Sequence, residues 1–307
     1  MKTSCWSAVF LVTVCLTSSL EVAAQEEHGL RQLTDDPATD GFPSWSPDGR
    51  HIVFSRYGGD AASERTGLWV VSPDGGMPER LTTVIGEHPD WSPDGRYIVF
   101  DGGFGNSIQV VSADGGTPIR IVPPSVPVVR GGQPKWSPDA AQIAFKEGSN
   151  LWVLEVSTGR LEVVFSEEGK VPIPVCWSLD GTEIFVSLRE GAENPNSSLW
   201  AVSAIGEGAR PLTVERESVY PNADLSPDGT LLVVASRADQ NWDLWIMSSA
   251  GGKRIRITTH PALDEGPSWS PDGARVAFVS RRSGNFDIWT VDVDVEAVHR
   301  ELMGEGQ

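Results

Sequence analysis

Short apolar runs recur along the chain at a nearly constant interval, and a tight polar turn introduces each run. The string Trp-Ser-Pro-Asp-Gly begins at Trp45, Trp91 and Trp269, and variants of it begin at Trp136, Trp177 and Leu225. The steps between these positions are 46, 45, 41, 48 and 44 residues. A period in the forties is that of a propeller blade and not of a leucine-rich or helical repeat.

Each repeat divides into four strand-like segments. After the turn comes an apolar run rich in β-branched residues, such as HIVFS (51–55), and then a run with a Leu-Trp or Ile-Trp pair, such as LWVVS (68–72). A third run such as RLT (80–82) and the short segment before the next Trp complete the unit. Such runs, separated by Gly-rich turns, are typical of strands. The sequence therefore predicts an all-β, six-bladed propeller of four-stranded antiparallel blades over residues 25–307.

The residue types in the repeat have physical reasons. Proline fixes φ in the Ser-Pro-Asp-Gly turn, aspartate can accept hydrogen bonds from nearby backbone, and glycine tolerates positive φ. Ten of the 12 tryptophans fall on two repeat positions, before this turn and in the Leu-Trp pair. Large rings at a fixed place in every unit predict packing between neighbouring blades.

The sixth repeat lacks an outer strand of its own before Asp292. Near the other end of the chain, residues 31–34 (RQLT) match the outer-strand pattern. We therefore expect this N-terminal strand to complete the sixth blade and close the ring. The alternative is that residues 298–302 (VHREL) supply that strand.

The first 24 residues have the features of a cleaved signal peptide. Lys2 precedes a short apolar run at residues 8–16, which is too short to span a bilayer, and small residues at 22–24 offer a cleavage site. Cleavage would leave Cys176 as the remaining cysteine, so no intramolecular disulfide could form. We expect the protein to be periplasmic or secreted and not to insert into the membrane after cleavage. We also expect it to be monomeric.

The repeat resembles that of the TolB-like β-propeller family. The resemblance rests on the WSPDG turn, on the pattern that runs from Ser236 to Trp245 and again from Ser280 to Trp289, and on the Asp-Gly-Gly and Arg-Leu-Thr segments. It covers nearly all of the chain after the leader and implies a propeller that binds other proteins or gates access to a catalytic domain. TolB itself also carries an N-terminal α/β domain, whereas here residues 25–30 lead directly into the first propeller strand, so we expect the propeller alone.

The charge balance restricts the classes of molecule that the protein is expected to bind. The chain has 42 Asp and Glu against 24 Lys and Arg, a formal net charge of -18. Phosphate backbones and anionic lipid surfaces would repel such a protein, which argues against nucleic acid. The expected partner is a protein or peptide, and a cationic one would complement this charge.

Loops that join an outer strand to the next inner strand should surround one mouth of the central channel. We expect ligand contacts there from a mainly acidic set of side chains. These candidates are Asp40, Glu87, His88, Arg130, Gln133, Tyr220, His260, Asp264 and Glu265. They could bind a cationic segment, form a solvated rim without a ligand, or hold an ion, for which Ca²⁺ is the expected species because hard cations favour oxygen ligands.

Catalytic chemistry finds little support in the sequence. No G-x-S-x-G nucleophile elbow occurs, and the five histidines are scattered over the repeats. No catalytic or metal-ligating residue is therefore assigned, and a non-enzymatic binding module is the preferred function. The alternatives are a metal-assisted hydrolase or lyase of the lactonase type and an accessory propeller for a separately encoded peptidase-like partner.

Overall fold

The computed structural model describes residues 27–58, 65–102, 107–122, 132–191, 197–213, 219–237 and 241–304. The predicted leader at residues 1–24 lies outside this part of the chain, as do Arg130 and the side chain of Tyr220. In the described part, no helix is long and apolar enough to cross a bilayer.

Six four-stranded sheets follow one another along the chain, and each is one blade. The first three blades contain β2 (Thr39–Trp45), β3 (Ile52–Tyr57), β4 (Gly67–Val71) and β5 (Glu79–Thr82); β6 (Gly86–Trp91), β7 (Tyr97–Gly102), β8 (Ser107–Ser112) and β9 (Ile119–Arg120); and β10 (Lys135–Trp136), β11 (Gln142–Glu147), β12 (Asn150–Glu155) and β13 (Leu161–Ser166).

The remaining blades repeat this order. They contain β14 (Lys170–Trp177), β15 (Glu183–Glu190), β16 (Ser197–Ser203) and β17 (Ala209–Pro211); β18 (Val219–Leu225), β19 (Leu231–Ser236), β20 (Asp243–Ser248) and β21 (Arg254–Arg256); and β22 (Asp264–Trp269), β23 (Arg275–Ser280), β24 (Asp287–Asp292) and β1 (Arg31–Gln32). Every described pair within a blade is antiparallel, which confirms the predicted six-bladed propeller.

The N-terminal strand closes the ring as predicted. Strand β1 pairs with β24 through Arg31 and Thr290, and the Leu33 backbone N–H donates to the Ile288 carbonyl at 2.8 Å. The strand itself ends at Gln32, two residues earlier than predicted, but Leu33 and Thr34 continue beside β24. The sixth blade therefore contains both ends of the propeller sequence.

The alternative closing segment is helical, so the strand considered for residues 298–302 is wrong. Helix α1 runs from Val295 to Met303. The Asp294 side chain accepts a hydrogen bond from the Ala297 backbone N–H, and Gly304 ends the helix with φ of 75°. An N-terminal aspartate cap and a left-handed C-terminal glycine are standard helix boundaries.

The Ser-Pro-Asp-Gly turns have the predicted hydrogen bonds. In the first turn, Asp48 Oδ1 accepts from Ser46 Oγ at 2.6 Å and from the Arg50 backbone N–H at 3.0 Å. The Gly49 N–H donates to the Ser46 carbonyl at 2.9 Å. These turns occupy the face of the ring opposite the mouth loops.

The hydrophobic core is divided among the spaces between adjacent blades. One cluster joins Trp45 and Phe54 of the first blade to Ala277 and Ile288 of the sixth, and similar clusters join other neighbours. The tryptophans thus pack between sheets, as predicted. This arrangement leaves the narrow central channel lined by the inner strands alone.

Candidate functional site: the channel mouth

A bulge in the inner strands directs side chains into the central channel. The pairing register of the inner strand with its neighbour shifts in β2, β6 and β22. In β2 the shift lies between Gly41 and Ser44. The residue three positions before the repeat Trp has positive φ in several blades, at Phe42 (54°), His88 (49°), Gln133 (44°) and Gly266 (60°). Residues other than glycine rarely adopt this conformation, and such strain is concentrated at functional sites.

The channel at this level is almost filled. The bulged residues line a cavity of about 30 Å³, which is about the share of one water molecule in the liquid. Phe42 and Asn222 belong to this ring although the sequence analysis did not select them. Their position relative to the repeat Trp or Leu is the same as that of His88 and Gln133, so the alignment of the repeats carried the signal.

His88 is held by three side chains from neighbouring strands. Its Nδ1 lies 3.2 Å from both carboxylate oxygens of Asp101, and its Nε2 lies 3.0 Å from Nε2 of Gln133. The Phe42 ring packs against the imidazole with 4.0 Å between centroids. With Gln133 donating to Nε2, the Nδ1–H of a neutral imidazole donates to Asp101.

Asp101 was missed by the sequence analysis. It is buried near the end of β7, where the first and fourth blades carry the serines Ser55 and Ser187. An acidic residue directly after the apolar run YIVF (97–100) was the available signal. Pairing of β6 with β7 places Asp101 opposite Glu87 and beside His88.

Glu87, His88 and Asp101 form the one group of potential metal ligands found in the described residues. One ligand atom from each lies within 4.8 Å of those of the other two. Two carboxylates and an imidazole suit a divalent transition metal better than Ca²⁺, which prefers oxygen ligands throughout.

Asp40 and Asp264 are fully buried and form ion pairs inside the blades. Asp40 accepts two hydrogen bonds from Arg56, at 2.6 and 2.7 Å, and Asp264 accepts one from Arg282 at 2.7 Å. Burial raises the pKa of both carboxyl groups despite these pairs. Their charges therefore fix strand ends and are not displayed in the mouth.

His260 forms hydrogen bonds within its own loop and with a neighbouring one. Its Nδ1 accepts from the Ala262 backbone N–H at 3.0 Å, and its carbonyl accepts from the Asn241 side chain at 2.7 Å. It lies in the connection that leads to β22 and is not grouped with His88. The two histidines of the mouth loops thus have separate environments.

A second cavity of about 110 Å³ adjoins the first and shares Phe42, Asn222 and Gly266 with it. Its other lining residues include Tyr57, Phe286 and Glu265. Burial raises the pKa of Tyr57, with a further contribution from the charge of Glu87, so the phenol stays neutral. Aromatic rings beside a carboxylate can receive the end of a cationic side chain.

Two residues further along the inner strands, three charged side chains and a cysteine interact with one another. We call Asp90, Lys135, Cys176 and Asp224 the channel floor. Lys135 Nζ lies 3.1 Å from Asp90, and burial raises the pKa of Asp224 to about 6. Burial alone would lower the pKa of Lys135, but Asp90 and Asp224 raise it.

The floor also joins neighbouring blades. The Trp136 backbone N–H donates to Asp90 at 2.9 Å, and the Trp269 backbone N–H donates to Asp224 at 2.7 Å. Burial raises the pKa of Cys176 well above its usual value, so the thiol is neutral and unsuited to act as a nucleophile. The floor thus links neighbouring blades beside the mouth cavity, which Lys135 also lines.

The repeats and the ring define a six-bladed β-propeller of the WSPDG type, and comparison with known proteins specifies it further. The family model described as the TolB beta propeller domain matches residues 196–307. The Tol-Pal system protein TolB of Anaeromyxobacter dehalogenans is 35% identical over 131 residues, which are 40% of this chain and 28% of that protein. The chain therefore covers little more than a quarter of this relative's length.

Solved structures share the fold across most of the chain. A structure described as putative TolB from Agrobacterium tumefaciens has a TM-score of 0.64 and 20% identity, and the match covers 86% of this chain and 93% of that one. An oligogalacturonate lyase in complex with manganese has a TM-score of 0.61 and 14% identity, with 88% and 94% covered. At such identities the likeness shows the fold alone. Taken together, the chain is a six-bladed β-propeller, and its sequence from residue 196 onward is similar to the TolB propeller domain.

Proposed function

We propose that this protein is an exported, non-enzymatic propeller that binds a protein or peptide at the channel mouth. The observation that carries the proposal is the cavity of about 110 Å³ that Phe42, Tyr57, Phe286 and Glu265 help to line. A cavity of this size accepts one side chain and not a sugar chain or a dinucleotide, since small-molecule sites usually measure about 300 Å³ or more.

The charges of the mouth favour a cationic side chain. Glu265 and Glu87 lie on equivalent positions of β22 and β6 and contribute two carboxylates to the mouth. An Arg or Lys end group would meet a carboxylate and aromatic faces together. The channel floor lies further along the inner strands than the mouth cavities. A bound peptide would therefore insert only its terminal side chain into the mouth and would not pass through the central channel.

Export and the identity of the partner follow from sequence features. The leader at residues 1–24 supports passage out of the cytoplasm. The similar curated protein is described as a component of the Tol-Pal system, which makes an envelope protein a reasonable partner.

The proposal can be tested by fluorescence anisotropy with a fluorescein-labelled tetra-arginine peptide. We expect binding that weakens at high salt and about tenfold weaker binding to the Glu87→Gln/Glu265→Gln variant. The matched control is Asp74→Asn/Asp114→Asn, which removes the same charge from exposed turns on the opposite face. Equal weakening in both variants would show nonspecific attraction to an acidic surface and would overturn the proposal.

A second candidate function is metal-assisted chemistry at Glu87, His88 and Asp101, the enzymatic alternative of the sequence analysis. Its support is the mutual distance of 4.8 Å or less between their ligand atoms. Titration with Mn²⁺, followed by electron paramagnetic resonance, should show a bound ion that Asp101→Asn abolishes and that Asp139→Asn, in an exposed turn, leaves intact. Free Mn²⁺ throughout the titration, or identical binding by both variants, would exclude this candidate.

A further inference from the structure

The face with the Ser-Pro-Asp-Gly turns carries an unexplained pattern of apolar residues. Two repeat positions are polar or charged in four blades and apolar in the second and fifth. The second residue after the Ser-Pro-Asp-Gly segment, at or next to the start of the second strand, is in blade order His51, Tyr97, Gln142, Glu183, Leu231 and Arg275. The outer-strand position opposite the residue after the Leu-Trp pair is Glu79, Ile119, Glu162, Arg210, Ile255 and Arg31.

A third position follows the same pattern. The residue four places after the position of the Leu-Trp tryptophan is valine in the third and sixth blades, at Val156 and Val293. In the other blades it is Pro73, Ala113, Ala204 or Ser249. Because Val156 faces the second blade and Val293 faces the fifth, the two clefts between blades 2 and 3 and between blades 5 and 6 share an apolar lining.

Helix α1 fills the cleft between blades 5 and 6. Its Val298 is fully buried, and Val295 and Leu302 pack against the same cluster, which gives an apolar stripe with spacing i, i+3, i+7. The polar side of the helix is anchored as well, since His299 Nε2 lies 3.0 Å from Thr230 Oγ1. As a result, Leu231 and Ile255 are 0% exposed and Val293 is 8% exposed.

No described element covers the matching cleft between blades 2 and 3. Tyr97 is 41% exposed, Ile119 64% and Val156 43%. With Trp136 and Ile121 they line a cavity of about 680 Å³. Exposed apolar patches of this kind, rimmed by polar residues, mark interaction sites on proteins.

We propose that the cleft between blades 2 and 3 is a docking site for a short amphipathic helix of a partner protein. The occupant is defined by α1, which occupies the same repeat positions three blades away: about two turns of helix, with aliphatic residues at i, i+3 and i+7. The exposed side chains at the three cleft positions, Tyr97, Ile119 and Val156, would be removed from water on binding.

The charged residues at the rim of the cleft indicate which charge a docked helix should carry. Asp94 and Asp139 belong to the turns on either side, and Arg96 is bound to Asp94, with Nε to Oδ2 at 2.7 Å. Hydrogen bonds from Ser92 and Arg96 lower the pKa of Asp94 to about 2, so it is charged at neutral pH. Because Arg96 offsets the charge of Asp94, Asp139 is the rim carboxylate that a basic residue on the polar side of the docked helix would meet.

A second copy of this chain is a less suitable occupant. Its α1 would have to leave its own cleft and expose Val298, Leu231 and Ile255. Helix α1 carries Glu296 in its first turn and Arg300 beside Glu301 in its last, so it lacks the net positive charge that would suit Asp139. Both considerations favour a separate, basic partner helix.

The test uses the full chain and a fluorescein-labelled peptide with the sequence of residues 292–304, extended by alanine-rich turns because so short a helix is marginal alone. A second peptide carries Glu296→Lys and Glu301→Lys. We expect both to bind, the lysine version more tightly, and Ile119→Glu to weaken both by about tenfold or more, as loss of a buried aliphatic contact requires.

The matched control exploits the repeat, because glutamate is the natural residue at this position in blades 1 and 3. Ile119→Glu should therefore leave the thermal unfolding midpoint unchanged, and peptides carrying Val298→Asp should not bind. Undiminished binding to Ile119→Glu, or absence of binding to the unaltered chain, would overturn the proposal. Sedimentation equilibrium showing a dimer that Ile119→Glu dissolves would assign the cleft to a second copy instead.

Discussion

At the scale of single residues, the channel floor places a carboxylate where charge is costly. Asp224 accepts hydrogen bonds from the Leu225 and Trp269 backbone N–H groups at 2.9 and 2.7 Å, and it feels the charge of Lys135. Burial nevertheless outweighs these favourable interactions and raises its pKa to about 6. Asp224 thus links the fifth and sixth blades, and its contribution to the free energy of unfolding depends on pH.

This dependence leads to a prediction for Asp224→Asn. Because the pKa of Asp224 is higher in the folded protein than in the unfolded chain, the folded state binds more protons between about pH 4 and pH 6. The contribution of Asp224 to stability is therefore full below pH 4 and is lost as the pH rises through 6. Urea unfolding should show the stability difference between the unaltered protein and Asp224→Asn falling by about 2 kcal/mol from pH 4 to pH 7.

Asp94→Asn provides the control, since the pKa of Asp94 is lowered to about 2 by Ser92 and Arg96. Its stability difference from the unaltered protein should be nearly constant above pH 5, where the carboxylate is charged in both states. A difference for Asp224→Asn that stays constant or rises over the same range would contradict the prediction.

At the scale of strands and helices, the ring depends on a short strand from far away in the sequence. Strand β1 contributes only two paired residues, but Leu33 beyond it is buried among Trp45, Phe54 and Ile288. The segment thus belongs to the core between the sixth and first blades as well as to the sheet.

Deleting residues 27–34 should therefore destabilise the whole propeller. We expect a loss of about 3 kcal/mol or more in the free energy of unfolding, as for removal of a buried leucine, together with a broader transition. A synthetic peptide of residues 25–36 should restore part of the loss when added in excess. An unchanged urea midpoint would mean that the ring is closed by other contacts.

At the scale of the whole molecule, the number and order of blades could be predicted because each repeat is a complete local unit. In each repeat the turn, the apolar run and the tryptophan positions occur in the same order. The outer-strand pattern at residues 31–34 also identified the strand that closes the ring. The helix at 295–303 was not recognised, although Asp294 and Gly304 carried its boundaries.

The candidate site was predicted less completely, because partners across a sheet are not adjacent in sequence. Asp40 and Glu87 look alike as acidic residues before a repeat Trp, but Asp40 is paired with Arg56 by the register of β2 and β3. Asp101 reaches His88 in the same way, from the second strand of its blade. The backbone bulge that turns His88 and Gln133 into the channel depends on φ, which the residue types alone do not reveal.

The closing strand also has a consequence for the order in which the molecule can form during synthesis. The hydrogen bond from Gln32 to Asp287, at 3.0 Å, joins residues 255 positions apart. The first propeller segment to leave the ribosome must wait for almost the last one before it has a partner, and closing so long a loop carries an entropic cost. A chain with this topology completes its ring only after the sixth blade has been synthesised, so the first five blades must persist until then with the ring open.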